Sequence, residues 1–127
     1  DGDVDADDLR NMPLEKRKEF YRVQHWERGG WGRIEAQMPA WKVYDAGVNM
    51  GIGQASLILQ RAVYACGGIL EIDGRVGPIT IRLTNRTNWI FLMDAMRCEM
   101  RRVYEMILKA HTDYEIYRAG WMERANT

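Results

Sequence analysis

Apolar positions repeat at helical spacing along most of the chain. The longest run lies between about Asn88 and Lys109, where Trp89, Met93, Met96, Met100, Val103 and Ile107 stand alternately four and three residues apart. That spacing puts them on one stripe of an α-helix and predicts that the stripe is buried. Glu105 and Lys109 are spaced for an ion pair on its outer side. A second amphipathic helix is predicted over Gln54 to Cys66, with Ala55, Ile58, Leu59, Ala62, Val63 and Cys66 inward and Gly67-Gly68 closing it. Pro13 suits the first turn of an earlier helix that runs to about Trp26 and stops at Gly29-Gly30. Its inner side takes Leu14, Phe20 or Tyr21, and His25 or Trp26. Met38-Pro39 marks a boundary. Ala40 to Asn49 then reads as helix with Trp41, Tyr44 and Val48 on one face. Asp73-Gly74 is a turn between two short extended pieces, and Gly77-Pro78 opens another short helix. A last helix covers Tyr114 to Arg124, interrupted or capped near Gly120. The expectation is a compact all-α domain over residues 9–127, with at most one tiny hairpin near Asp73-Gly74, preceded by an acidic loop over residues 1–8.

Composition narrows the function classes. Apolar residues make up 46% of the 127, so the chain carries enough for a real core. Eighteen basic residues balance eighteen acidic ones, which argues against a nucleic-acid partner. The longest apolar stretch, Trp89 to Met96, is broken by Asp94 and followed by Arg97, so no membrane span is expected. No targeting signal is read either. Cys66 and Cys98 have no metal spacing, and each reads as a small buried thiol on an apolar helical face, with a disulfide as the other reading. His25 and His111 have no metal-ligand companion at helical spacing.

Four motifs occur in order: Tyr44-Asp45-Ala46-Gly47-Val48-Asn49-Met50-Gly51, Leu59-Gln60-Arg61-Ala62, Asp73-Gly74-Arg75-Val76-Gly77-Pro78-Ile79-Thr80, and Gly120-Trp121-Met122-Glu123-Arg124. Upstream stand Phe20-Tyr21 and His25-Trp26. This order resembles the predicted peptidoglycan domain joined to the lysozyme-like muramidases of glycoside hydrolase family 108, which include phage endolysins and proteins once called secretion activators. The resemblance spans about Asp8 to Asn126 and implies a lysozyme-like helical fold and peptidoglycan as partner. It also implies action at the bacterial cell wall. In that family the catalytic glutamate sits near the amino end in a Glu-Gly-Gly type motif. No such motif precedes Leu9, and Gly29-Gly30 comes after the Tyr–Trp helix. The expectation is therefore a substrate-facing part of a muramidase that depends on an upstream catalytic segment of the same parent. No catalytic residue is assigned within this chain.

Glycoside cleavage needs a proton donor at the leaving oxygen and a carboxylate or water opposite. Of the carboxylates, only Asp45 lies among aromatic and small residues. It reads either as a wall of a sugar cleft or, more simply, as a hydrogen-bond partner of Asn49 one turn on. Asn49 reads as a helix-end cap and, compatibly, as a contact to an N-acetyl group. Tyr44 shares their motif. Asp73-Gly74-Arg75 is a turn in which Arg75 could also reach a stem-peptide carboxylate. Trp31 and Trp41 border irregular sequence and are the candidate sugar-stacking rings, whereas Trp26, Trp89 and Trp121 read as core. Thr80 is a helix-start residue.

The acidic start matches the second half of a calcium loop of the EF-hand type. Asp1, Asp3, Asp5 and Asp8 would fill positions five, seven, nine and twelve, and Gly2 position six. No cofactor is required by the implied chemistry, and Ca2+ is expected only in the intact parent. Two further readings differ in class: a peptidoglycan-binding module without chemistry of its own, and a structural helical subunit of a phage or secretion apparatus.

Overall fold

The structure, a computed structural model, describes residues 13–127; the expected calcium-loop residues Asp1, Asp3, Asp5 and Asp8 lie outside them. Among the described residues there are six α-helices and no strand. They are α1 (Leu14–Tyr21), α2 (Gln37–Met50), α3 (Ile52–Ala65), α4 (Pro78–Arg86), α5 (Trp89–Ala110) and α6 (Arg118–Asn126). The all-α expectation is met.

The long helix α5 is the spine. Asn88 caps it by accepting from the Ile90 and Phe91 amides, the standard way to satisfy orphan N–H groups. Met93, Met96, Met100 and Val103 are buried as the spacing predicts, joined by Leu92, Tyr104 and Leu108. Trp89 is not core: it opens the helix and is 47% exposed, because burial begins one turn later. Cys98 is exposed and free, since it stands two residues from both Met96 and Met100 and so on another face. Glu105 pairs with Arg118 rather than Lys109, as α6 brings the guanidinium across.

Helix α3 buries Ala55, Ile58, Leu59, Ala62 and Val63 against α2 and α5. Cys66, expected on that face, is exposed and free at the cap, where the chain leaves through Gly67 at φ 102°. Pro39 is not a boundary. It is the third residue of α2, where a missing N–H costs nothing. The inner stripe of α2 is Pro39, Ala40, Lys42, Val43, Ala46 and Gly47, not the predicted Trp41, Tyr44 and Val48. Small residues let α2 approach α3 closely: a Cβ at Gly47 would stand 3.8 Å from that of Ala55. The bulky aromatic side chains are thereby turned outward.

Helix α1 continues into a π-helical turn, Arg22–Glu27, and the chain reverses at Gly30, φ 74°. It reaches the body of the domain through that turn, so Leu14 at its far end is 58% exposed rather than inward. The segment around Asp73-Gly74 is loop on both sides instead of two extended pieces. A 3-10 stretch, Thr112–Tyr117, leads into α6, and Gly120 lies within that helix instead of interrupting it.

Candidate functional site

Met38, Trp41 and Asp45 recur along α2 on the stripe that faces α6. With Met93 of α5 beneath and Gly120, Glu123 and Arg124 of α6 opposite, they line an open pocket of about 630 Å³. Trp41 is 52% exposed. Its ring belongs to a triangle with Trp26 and Tyr44, with centroids 5.8 Å (Trp26–Trp41), 5.5 Å (Trp26–Tyr44) and 5.7 Å (Trp41–Tyr44) apart. The π turn carries Trp26 to this point, and such turns recur at functional sites. On the other side of Trp41 lies a shallower hollow of about 430 Å³, bounded by Leu14, Arg17, Lys18 and Arg22. An indole met edge-on by Tyr44 and at a tilt by Trp26 keeps one orientation, which is what a stacking platform for the apolar face of a sugar requires.

Polar groups stand beside this platform. Asp45 Oδ1 accepts from Arg124 at 2.9 Å and from Asn49 Nδ2 at 3.3 Å, while Asn49 Nδ2 also donates to the Asp45 carbonyl at 2.7 Å. The simpler reading of Asp45 and Asn49 as mutual hydrogen-bond partners therefore holds. Asn49 is not a cap, because Gly51, at φ 92°, ends the helix. The bond sequence reading missed is the ion pair from Asp45 to Arg124, which ties α2 to α6 across the pocket.

Lys42 was also missed. It is buried, lines the pocket, and donates to the Ala125 carbonyl at 2.9 Å. Burial, then repulsion from Arg97 and Arg101 against the attraction of Asp45, pushes its ammonium down to about 8. The signal was available: Lys42 falls between Pro39, Val43 and Ala46 on the stripe that buries small residues.

Other sequence candidates lie elsewhere. Trp31 is fully buried and is a core anchor, not a stacking ring. A side chain at Gly29 would collide with its indole, so this glycine helps seat it. Asp73 and Arg75 do not line the groove. They form a turn held by the buried Gln60 amide, whose Oε1 accepts from the Asp73 and Gly74 amides at 3.1 and 2.9 Å. Its Nε2 donates to Asp73 Oδ1, the Arg75 carbonyl and Thr80 Oγ1 at 3.1, 2.9 and 3.2 Å. Thr80 is thus a buried member of this network rather than only a helix-start residue. Asp73 Oδ1 also accepts from the Arg75 amide at 2.9 Å. These bonds hold its carboxyl below the usual carboxylate range.

A general acid needs the opposite perturbation, a carboxyl raised toward neutrality. Glu19 and Glu115 are, like Asp73, held low, each by hydrogen bonds from a neighbouring arginine, Arg22 or Arg118. Among the described residues no group of three or more His, Cys, Asp or Glu side chains is gathered to hold a metal, and no helix is long and apolar enough to cross a membrane.

Comparison with known families supplies the remaining evidence. Residues 54–126 match the family model described as Predicted Peptidoglycan domain, and residues 1–51 match that described as Glycosyl hydrolase 108. No curated protein matches the chain significantly. The junction between the matches, residues 51–54, falls at the α2–α3 corner, and the groove between α2 and α6 takes one wall from each matched segment. The chain belongs to the predicted peptidoglycan domain family, matched over residues 54–126, resembles glycosyl hydrolase 108 over residues 1–51, and is the peptidoglycan-binding part of a muramidase-like protein.

Proposed function

We propose that the pocket between α2 and α6 holds the glycan strand of peptidoglycan, with Trp41 as the stacking ring. The single observation that carries this is the half-exposed Trp41, fixed by Trp26 and Tyr44 and standing directly beside the Asp45–Asn49–Arg124 polar set. An apolar platform flanked by amide, carboxylate and guanidinium groups matches an acetamido sugar, which offers one apolar face and a ring of hydroxyl and amide dipoles. Lys42 adds an N–H donor at the base of the pocket.

On this reading the described residues position the substrate, and the proton donor for N-acetylmuramide hydrolysis is contributed by the family's amino-terminal catalytic segment in the intact parent. Tryptophan fluorescence tests the pocket. Peptide-free oligosaccharides of N-acetylglucosamine and N-acetylmuramic acid should shift the emission of the wild-type chain and protect it from acrylamide. Trp41→Ala should lose both effects while keeping its helical circular dichroism. An unchanged response in Trp41→Ala would remove Trp41 as the platform.

A further inference from the structure

The Trp41 pocket does not end at Arg124. A second hollow, of about 700 Å³, opens on the far side of the same residues, and Gly120 and Arg124 line both. On α2 the wall continues without a break. Met38, Trp41 and Asp45 face the first hollow, and Asn49, one turn on, faces the second. From Met38 to Asn49 is eleven residues (49 − 38), or roughly 16 Å at 1.5 Å per residue. The two hollows meet at Gly120 and Arg124, where the Asp45–Arg124 pair lies.

Gly120 sits at that meeting point, inside a helix, with a negative φ and nothing within 4 Å of where a Cβ would stand. No turn and no close packing calls for glycine there, and glycine weakens a helix relative to alanine. Its cost is unexplained by the fold. It is explained if the space above it must stay open to a ligand running from one hollow into the other.

We infer that the second hollow is a further subsite for the same glycan strand, continuous with the Trp41 pocket across Gly120. The inference rests on the reading of the Trp41 pocket given above. The lining favours sugar over stem peptide. Tyr117, half exposed, caps a stack in which its ring lies 5.7 Å from Trp121 and that of Trp121 lies 5.1 Å from Tyr104. Asn49 and Gln54 add neutral amides. Tyr104 is almost wholly buried, lines the hollow, and its hydroxyl has no partner among the described residues. Among the described residues the only charged one lining it, Arg124, is already paired with Asp45. Met50, Val103, Met106, Ile107 and Ile116 complete the lining, and the rings, neutral amides and hydroxyl among them suit hydroxyl and acetamido groups. A carboxylate-rich peptide would call for unpaired cations.

The test is the dependence of affinity on strand length, measured by calorimetry with peptide-free N-acetylglucosamine/N-acetylmuramic acid disaccharide and hexasaccharide. The wild-type chain should bind the hexasaccharide at least tenfold more tightly than the disaccharide. Tyr117→Ala, at a side chain that lines the second hollow and not the first, should abolish that gain and leave disaccharide binding within twofold. Gly120→Ala should raise the melting temperature by a few degrees yet weaken hexasaccharide binding several-fold, a combination no folding defect produces. A length gain that survives Tyr117→Ala, no gain in the wild type, or affinity that rises only when stem peptide is attached would each overturn the second subsite while leaving the Trp41 pocket standing. Failure of the wild-type chain to bind even the disaccharide would overturn both readings.

Discussion

Replacing Lys42 by methionine isolates the energetic cost of the buried cation at the base of the pocket. The fall of its ammonium from 10.5 to about 8, at about 1.4 kcal/mol per pH unit, amounts to roughly 3 kcal/mol of destabilisation at neutral pH. The sign follows from proton counting. Below pH 8 both folded and unfolded chains carry the proton, and the folded state bears the full penalty. Between about 8 and 10.5 the unfolded chain holds more protons, so stability rises with pH until the penalty is gone. Methionine removes the charge but leaves the buried Ala125 carbonyl without its donor, a loss of about 1–2 kcal/mol. Lys42→Met should therefore be more stable than the parent at pH 7 by roughly 1–2 kcal/mol, and less stable at pH 10.5. Urea unfolding of both proteins at half-unit steps from pH 7 to 10.5 measures this, and their difference cancels the other titrating groups. A variant that is destabilised at pH 7, with a difference that does not change with pH, would refute the reasoning.

Gln60→Ala removes five hydrogen bonds that hold the Asp73-Gly74-Arg75 turn and Thr80; with part of the network near solvent, the expected loss is roughly 2–4 kcal/mol. Faster proteolysis should appear first at the 69–77 loop, and unchanged unfolding would show that water replaces the amide freely. Met100→Asp places an unpaired charge in a fully buried position and should cost roughly 3–5 kcal/mol; a thermal melt like that of the parent would remove α5 as the spine.

Periodicity located the helices well where one face is uniformly apolar, as on α3 and the middle of α5. It failed on α2, where Trp41 and Tyr44 outweighed Pro39, Ala40, Ala46 and Gly47 in any hydrophobic count. Close helix approach rewards small side chains, so Trp41 went outward. That error also hid Lys42, which no hydrophobic pattern places inside. The motif residues Asp45 and Asn49 were legible as a local pair, but their link to Arg124 spans 79 positions and has no local signature. Trp31 looked irregular and exposed because glycines surround it, yet Gly29 makes room for its buried ring. Asp73-Gly74-Arg75 was legible as a turn, but the buried Gln60 amide that holds it stands thirteen to fifteen positions away and has no local signature. Gly120 read as a break, and only its empty surroundings within a helix showed otherwise.

The most direct test of glycan recognition by the α2–α6 groove is co-sedimentation of the chain with purified sacculi, comparing wild type, Trp41→Ala and Phe91→Ala. Phe91 is as open to solvent as Trp41 but lines a different hollow, beside Cys66 and Thr87. The account predicts that the wild type and Phe91→Ala pellet alike, whereas Trp41→Ala stays in solution at least tenfold more. Equal losses for the two variants would mean nonspecific apolar adhesion, and a loss confined to Phe91→Ala would place recognition outside the groove.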